Sequence, residues 1–308
     1  MLHRRAVLAG SAALLAAHAS SAEPGTESLP LWPGLPPGGG GPSGRQHRNN
    51  KGAVTNIAAP SLDMFAPSGR RSGAAVLIAG GGGYKRVEMG TEAEPAARWL
   101  VARGITAFVL TYRLPEEGWT DGPLAPLQDA QRALRLIRAN AQRFGFEPSR
   151  IGVLGFSSGA HLLGLAATRS AFLSYKPVDE VDTQSARPAL AALAYPVITL
   201  KPPYDRTSTR RVLVGESPSA AQRDEWSVET HVQGRCPPVF LVQAEDDPVS
   251  DPANSILMAD ACRHANVPVD LHLLSAGGHG FGMGLPGTST AAWPSWLEAW
   301  LRQHDMVA

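Results

Sequence analysis

The most informative part of the chain is residues 150–168, which read RIGVLGFSSGAHLLGLAAT. An apolar run typical of a buried strand comes first, and small and apolar residues typical of a helix follow it. Between the two runs, residues 155–159 match the pattern G-x-S-x-G, which in a sharp strand-to-helix turn presents a serine hydroxyl above a sheet. A plain Gly/Ser loop would also match, but the flanking runs favour the turn. We therefore predict Ser157 as a nucleophile, with the backbone N–H of Ser158 at the helix N-terminus available to the reacting group.

Segments of alternating character extend from this stretch in both directions. Strands are predicted at residues 74–79, 105–112, 190–198, 239–244 and 269–274, and helices at residues 94–103, 126–144, 252–265 and 293–303. This alternation predicts an α/β fold, with a mostly parallel twisted sheet that carries helices on both faces. Ligand sites in such sheets lie beyond the carboxyl ends of the strands. We see no internal repeat and no second domain, so residues 45–308 are assigned to one catalytic domain.

A nucleophilic serine needs a base, and His279 is the best candidate. It stands in GGHGFG, residues 277–282, after the last predicted strand, where glycines suit a loop that brings an imidazole over the sheet. A surface-loop histidine would have the same local sequence. His161 and His272 are less suitable, because the first lies one turn into the helix after Ser157 and the second lies inside a strand.

The acid that orients the histidine should follow the preceding strand. Residues 245–251, EDDPVSD, supply Asp246, Asp247 and Asp251. We favour Asp247 over Asp246 because it begins the turn at the strand end. A helix cap or an Asx-turn before Pro248 is the alternative use of such an aspartate. The chain order of serine, aspartate and histidine differs from the orders of the chymotrypsin and subtilisin triads.

An oxyanion hole needs two backbone N–H groups, and the run GGGGY at residues 80–84 offers a donor besides Ser158. Glycines let the backbone approach a substrate closely and leave its N–H groups unshielded. We expect the donors of this run to be Gly81 and Gly82, with Gly83 as the next candidate. A flexible turn or a phosphate-binding loop is the alternative, although Tyr-Lys-Arg follows here instead of the Lys-Ser/Thr of a phosphate loop.

Overall composition argues against several classes of function. Lys and Arg total 28 and Asp and Glu total 27, and the net charge of +1 argues against a strongly basic nucleic-acid binder. Charged residues make up 18% and hydrophobic residues 44%, so bulk disorder is not expected. The sequence has no CxxC pair and no HExxH, so it lacks the common zinc signatures, and we expect no metal or other cofactor.

The first 22 residues have the layout of a secretory signal peptide. Arg4 and Arg5 precede an apolar run over residues 6–17, and small residues follow. That run is too short to span a bilayer, and a buried N-terminal helix is the alternative. We expect removal of residues 1–22 and export to the periplasm or the outside, by the general secretory or the twin-arginine route. The Pro/Gly-rich residues 23–44 should form an irregular N-terminal arm.

Two cysteines, Cys236 and Cys262, would then lie in an oxidising compartment, where a disulfide is allowed. One precedes a predicted strand and the other lies late in the helix that follows, so both could end at the same level of the fold. They form either a disulfide or two small buried hydrophobic residues, and neither resembles a catalytic cysteine.

Together these motifs resemble the α/β-hydrolase superfamily, and more narrowly the secreted carbohydrate acetylesterases of the acetyl xylan esterase and feruloyl-esterase-like group. The resemblance covers nearly the whole chain after the leader. It is carried by LPLWPGLPPG at 29–38, GGGGYKRV at 80–87, EPAARWLVARGITAFVLTYRLP at 94–115, PLQDAQRALRLIR at 126–138, RIGVLGFSSGAHL at 150–162, YPVITL at 195–200, PPVFLVQAEDDPV at 237–249 and GGHGFG at 277–282.

The resemblance implies a serine esterase with the triad Ser157, Asp247 and His279, which deacetylates acetylated sugars or xylan-derived oligosaccharides without a cofactor. Related lipases and esterases carry a histidine before the glycine run, where this chain has Gly80, so the outer support of that loop differs. Residues 201–236 occupy the usual cap position. They are short for a full lid, which implies an α/β-hydrolase fold with no large cap domain and an open pocket.

Two aromatic residues, Tyr84 and Trp119, follow strands in loops and are candidates for substrate binding, with loop packing as the alternative. The expected partner is a small-molecule or oligosaccharide ester, and neither a nucleic acid nor a membrane span is expected. Two hypotheses compete with an acetylesterase. One is another acyl hydrolase on this fold, acting on aryl or short-chain lipid esters or on peptides, and the other is a non-catalytic carbohydrate-binding relative.

Overall fold

A computed structural model describes residues 26–307, and the expected leader over residues 1–22 lies outside them. Within the described residues the strands are β1 Thr26–Pro30, β2 His47–Arg48, β3 Ala53–Thr55, β4 Ser61–Phe65, β5 Ala75–Ala79, β6 Val87–Glu88, β7 Thr106–Thr111, β8 Ile151–Phe156, β9 Ala191–Ala194, β10 Val239–Ala244 and β11 Val269–Leu274. The α-helices are α1 Glu94–Val101, α2 Ala125–Ala139, α3 Ala141–Phe144, α4 Ser157–Thr168, α5 Ser208–Val214, α6 Ala220–Trp226, α7 Ala253–His264 and α8 Trp293–Gln303.

An eight-stranded sheet forms the centre of the fold, in the order β1-β4-β7-β5-β8-β9-β10-β11. The six strands from β7 to β11 in this order are mutually parallel, and β4 is antiparallel to both of its neighbours. Every residue of β5, β7, β8, β9 and β10 is buried. Successive side chains of a strand point to opposite faces, so this burial requires cover on both faces. The predicted α/β architecture is confirmed.

The register of the parallel strands brings four loops to one edge of the sheet. Ala79 pairs with Gly155, Phe156 pairs with Ala194, and Ala194 pairs in turn with Val242. The strands β5, β8, β9 and β10 therefore end at nearly the same level. The chain that leaves each of them can contribute to a single site, as expected at the carboxyl edge of such a sheet.

A smaller antiparallel sheet, in the order β2-β3-β6, holds the chain after the glycine run. Its strand β6 pairs with β3 and leads through a π-helical turn, Met89–Ala93, into α1. This turn carries Glu92 back toward the end of β5, where its carboxylate accepts a hydrogen bond from Gly81.

Two of the differences between the structure and the sequence prediction lie in the N-terminal arm and in the long helix after β7. The arm over residues 23–44 was expected to be irregular, but Thr26–Pro30 forms β1 and pairs with β4 at the sheet edge, a position that tolerates Pro30. The helix expected over residues 126–144 divides at Asn140 into α2 and α3, because Asn140 has a non-helical conformation. The N-terminal arm therefore contributes a strand to the main sheet.

The two cysteines are buried and unlinked, so the structure contains two small buried residues and no disulfide between them. Burial, together with the nearby Cys236, raises the pKa of the Cys262 thiol to about 12. A thiol that stays protonated is a poor nucleophile, in agreement with the absence of catalytic character in its sequence. No helix within residues 26–307 combines the length and the apolar character that crossing a bilayer requires.

Candidate active site

The turn from β8 into α4 has a strained backbone at its serine. Ser157 has a φ of 50°, in the left-handed region that non-glycine residues rarely occupy. A side chain on Gly155 would overlap the backbone of Ala160, and one on Gly159 would overlap the carbonyl oxygen of Ala79. The two glycines therefore let α4 start directly against the sheet, with the serine hydroxyl at the first position of the helix.

Ser157, His279 and Asp247 form one hydrogen-bonded line. The Oγ of Ser157 lies 2.8 Å from Nε2 of His279, and Nδ1 of His279 lies 2.7 Å from Oδ2 of Asp247. An ionised carboxylate only accepts hydrogen bonds, so Nδ1 carries the hydrogen and Nε2 is free to accept the serine proton. The carboxylate is fully buried and also accepts the N–H groups of Val249 and Ser250 at 2.8 and 2.9 Å. This is the arrangement that activates a serine for nucleophilic attack.

The neighbouring Asp246 binds a different part of the same loop. Its Oδ1 accepts the backbone N–H groups of Gly277 and Gly278, both at 2.8 Å. These bonds secure the start of the loop that carries His279. The structure thus separates two aspartates that the sequence left as competing candidates, since Asp247 contacts the imidazole and Asp246 contacts the loop backbone.

The glycine run lies directly against the nucleophile. A side chain on Gly81 would overlap Cβ of Ser157, and Gly82 has a φ of 113°, which only glycine adopts without strain. Close approach to Ser157 therefore explains the glycine at position 81, whereas backbone conformation and the nearby carbonyl oxygen of Arg86 explain the glycine at position 82.

Only part of this run offers a free N–H donor. The N–H of Gly81 donates to Oε2 of Glu92 at 2.6 Å, and the N–H of Gly83 donates to Oγ of Ser158 at 2.8 Å. The N–H of Gly82 makes no hydrogen bond within residues 26–307. The N–H of Ser158 lies in the first turn of α4, where no intrahelical carbonyl can accept it. Within the described residues the N–H groups of Gly82 and Ser158 are therefore unbonded, whereas the N–H of Gly81 donates to a carboxylate.

Two residues of the site, Glu92 and Tyr195, are not identified by the sequence analysis. Glu92 is 4% exposed, and its carboxylate accepts the Tyr195 O–H at 2.9 Å as well as the Gly81 N–H. The ring of Tyr195 packs edge-on against the imidazole of His279, with ring centroids 5.0 Å apart. Burial raises the pKa of Glu92 to about 7. Tyr195 directly follows β9, which could have drawn attention to it, but no local pattern marks Glu92.

The two aromatic candidates for substrate binding lie away from this site. Tyr84 is 1% exposed, and its hydroxyl is 2.9 Å from Nδ1 of His161. Trp119 is 6% exposed, packs against Gly41 and lies 5.1 Å from the guanidinium carbon of Arg113. Both side chains are thus buried, as the alternative of loop packing describes, and a role in substrate binding stays a prediction.

A cavity of about 660 Å³ opens beside Ser157 and His279. Much of its lining is polar or charged and includes Lys51, Lys85, Arg86, Thr91, Thr207 and Ser208. The last of these begins α5, which belongs to the segment expected at the cap position. In the part of the chain that the structure describes, no group of three or more His, Cys, Asp or Glu side chains could hold a metal ion.

The fold and the serine turn define an α/β-hydrolase. The family model of BD-FAE matches residues 62–262, and the chain belongs to this family. Among solved structures it is similar to the acetyl ester-xyloside bifunctional hydrolase of Caldicellulosiruptor lactoaceticus, with 31% sequence identity and a TM-score of 0.76 over 92% of this chain and 97% of that one.

Curated relatives are longer than this chain. Endo-1,4-beta-xylanase B of Butyrivibrio fibrisolvens is 33% identical over 205 residues, which are 67% of this chain and 32% of that protein. An acetylxylan esterase of Xylanibacter ruminicola is 28% identical over 243 residues, which are 77% of this chain and 44% of that protein. The chain thus spans about 32% and 44% of the length of these relatives.

Proposed function

We propose that this chain is a serine carboxylic-ester hydrolase that removes acetyl groups from acetylated sugars or xylan-derived oligosaccharides. The observation that carries the proposal is the hydrogen-bonded line from Ser157 through His279 to the buried Asp247, with contacts of 2.8 and 2.7 Å. The names of the similar acetylxylan esterase and acetyl ester-xyloside hydrolase support the substrate class.

The proposed reaction begins with proton transfer from Ser157 to Nε2 of His279. The Oγ attacks the ester carbonyl carbon, and the carbonyl oxygen takes up the negative charge. The N–H groups of Gly82 and Ser158 stabilise this oxyanion, since neither is used inside the described fold. Asp247 holds the imidazole in the required tautomer and stabilises its positive charge.

The tetrahedral intermediate then collapses and the C–O bond to the alcohol breaks. The leaving alkoxide takes the proton from Nε2 of His279 and departs as an alcohol, which leaves an acyl group on Ser157. Water enters, gives its proton to the same nitrogen and attacks the acyl carbon. A second tetrahedral intermediate releases the carboxylic acid and returns the proton to the serine oxygen.

The shape and lining of the cavity support a sugar ester. The cavity of about 660 Å³ presents hydroxyl and cationic groups such as Thr91, Ser208 and Lys85, which can bond the hydroxyls of a hydrated substrate. Residues 201–236 contribute the short helices α5 and α6 and a 3-10 turn at Val228–His231. Val197 and Val249 are the aliphatic side chains of the lining and could contact a short acyl group.

The proposal is tested by hydrolysis of 4-nitrophenyl acetate, butyrate and octanoate, and by acetate release from acetylated xylo-oligosaccharides. We expect kcat/KM to be highest for the acetate ester and acetate to be released from the oligosaccharides. Ser157→Ala should lower kcat by roughly 10⁵-fold or more, because the nucleophile is removed. Ser68→Ala, an exposed serine outside the cavity, is the matched control and should retain full activity.

Equal activity of Ser157→Ala and the wild type would overturn the proposed mechanism. A preference for octanoate without acetate release would instead favour the competing esterase of lipid-like substrates. A protein that binds xylo-oligosaccharides and hydrolyses none of the esters would favour the non-catalytic hypothesis.

We further propose that residues 1–22 are removed and that residues 45–308, with the arm of residues 23–44, act outside the cytoplasm. The charge, apolar run and small residues of the leader support this export. N-terminal sequencing of the protein recovered from the periplasm or the medium tests it, with Glu23 as the expected first residue.

A further inference from the structure

A buried carboxylate links the two loops of the candidate active site. Glu92 accepts the N–H of Gly81 in the glycine run at 2.6 Å through Oε2, and the O–H of Tyr195 at 2.9 Å through Oε1. The Oη of Tyr195 in turn accepts the N–H of Gly282, three residues after His279, at 3.1 Å. A continuous chain of three hydrogen bonds therefore joins the loop of the N–H donors to the loop of the base.

The ionised form of Glu92 is the one that satisfies every donor in this chain. Gly81 and Tyr195 each point one hydrogen at a different carboxylate oxygen, and the tyrosine hydroxyl is left to accept from Gly282. A proton on the carboxyl would remove one acceptor and put a donor against the tyrosine hydroxyl. Tyr195 is fully buried and Glu92, at the wall of the cavity, is only 4% exposed, so little water can reach them to replace a lost bond.

Several ionisable groups face this carboxylate. Burial is the largest influence and raises the pKa of Glu92 to about 7, and the nearby Glu88 also raises it. The hydrogen bonds from Gly81 and Tyr195 and the charge of His279 act in the opposite direction. Tyr112 lies within electrostatic range and stays neutral, since burial raises its own pKa. Glu92 therefore changes charge close to neutral pH while it remains in contact with both loops.

We propose that Glu92 is a positioning residue of the reaction. Its carboxylate holds Gly81, so that the adjacent N–H of Gly82 faces the nucleophile. Through Tyr195 and Gly282 the same carboxylate also holds the loop of His279. This inference rests on the proposed esterase function. It also assigns Gly81 a purely structural bond and leaves the oxyanion to Gly82 and Ser158.

Glu92→Gln tests the proposal, because glutamine keeps the size and one acceptor but places an N–H₂ group against the tyrosine hydroxyl. We expect kcat for 4-nitrophenyl acetate to fall about 10- to 100-fold with KM changed less than about threefold, as the misplaced groups act mainly in the transition state. Glu94→Gln, two residues along and paired with Arg48 outside the cavity, is the matched control and should keep the wild-type kcat.

The pH profile separates positioning from a merely structural role. In the wild type, protonation of Glu92 should add to the fall of log(kcat/KM) on the acid side. In Glu92→Gln this contribution is absent, so the acid limb should be less steep than in the wild type. Tyr195→Phe keeps the ring against His279 but removes a donor to the carboxylate, so its acid limb should move to higher pH.

Thermal melts and circular dichroism establish that each variant is folded, and Tyr195→Phe carries the test if Glu92→Gln does not fold. A folded Glu92→Gln with wild-type kcat and an unchanged acid slope would overturn the inference, and so would a Tyr195→Phe profile that coincides with the wild type. In those cases an inactive Ser157→Ala would leave the proposed function standing. An active Ser157→Ala would overturn both.

Discussion

Two adjacent aspartates at the end of β10 differ in what their side chains bind. Asp247 accepts from the imidazole of His279, whereas Asp246 accepts from two backbone N–H groups at the start of the same loop. The contact of Asp247 can stabilise a positive charge on the imidazole, whereas the contacts of Asp246 only fix the backbone conformation of the loop. Replacing each carboxylate by an amide should therefore have very different consequences.

We predict that Asp247→Asn lowers kcat by about 10⁴-fold, because an amide cannot stabilise the imidazolium and favours the wrong tautomer. Asp246→Asn should lower kcat less than about tenfold, since the amide oxygen can still accept both loop N–H groups. Steady-state kinetics with 4-nitrophenyl acetate measure both variants. Similar losses in the two variants would contradict the separate roles assigned to these neighbours.

At the scale of secondary-structure elements, α4 packs so closely on β5 and β8 that glycine is required at the contact. An added Cβ at Gly159 would overlap the carbonyl oxygen of Ala79, which is backbone and cannot move aside independently. Gly164, five residues further along the same helix, would meet only Val228 and Leu193 side chains, the nearest at 3.0 Å. The same helix thus contains one glycine, Gly159, with no room for a side chain, and another, Gly164, where a methyl group would contact only side chains.

We predict that Gly159→Ala lowers the free energy of unfolding by about 3 kcal/mol through overpacking against the sheet. Gly164→Ala should change it by less than about 1 kcal/mol, because the gain in helix propensity offsets the contact with Val228. Urea unfolding of both variants tests the prediction. If Gly159→Ala is as stable as Gly164→Ala, close approach is not the reason for the glycine.

At the scale of the whole molecule, His161 connects three separate regions from inside α4. Its Nε2 lies 2.7 Å from the carbonyl oxygen of Trp226 at the end of α6. Because a carbonyl oxygen only accepts, Nε2 carries the hydrogen, and Nδ1 accepts a hydrogen bond from the hydroxyl of Tyr84. The ring is fully buried, and burial lowers its pKa to about 4. A neutral imidazole therefore holds the glycine-run loop and the 201–236 segment onto the helix.

This histidine makes stability depend on pH in a defined direction. Its pKa is lower in the folded than in the unfolded chain, where it is near 6.5, so the unfolded state binds the extra proton first. The contribution of neutral His161 to the free energy of unfolding is complete above pH 6.5 and is lost as the pH falls toward 4. Glu92 has the opposite effect on stability. Its raised pKa lets the folded state keep a proton between pH 4.5 and 7, so its contribution is complete below pH 4.5 and is lost as the pH rises through 7.

We predict that the stability difference between the wild type and His161→Gln shrinks by about 3 kcal/mol between pH 7.5 and pH 4.5, since the glutamine cannot be protonated. The contribution of Glu92 is common to both proteins and cancels in the difference. Urea unfolding at the two pH values measures it, with His264→Gln on the exposed part of α7 as the control. A constant difference at both pH values would contradict a buried neutral His161.

Much of this organisation is readable in local sequence. The β8–α4 turn around Ser157 and the α/β alternation depend on neighbouring residues, so their patterns survive in the linear chain. β1 was missed because its pairing with β4 is invisible among prolines and glycines. The burial of Tyr84 and Trp119 could not be predicted, because a loop position after a strand does not reveal whether a side chain is buried.

The sequence by itself determined the fold class, the strained serine turn, and the candidates for base and acid, since each follows from residue type and periodicity within a short segment. Only the tertiary structure decided which aspartate contacts His279, which glycine N–H stays unbonded, and that Glu92 lies between two loops. Those outcomes depend on hydrogen bonds such as Gly81 to Glu92 and Tyr195 to Glu92, whose partners meet only after β5, β9 and the π-helical turn have packed together. A hydrogen bond between residues 103 positions apart leaves no periodic trace in the chain.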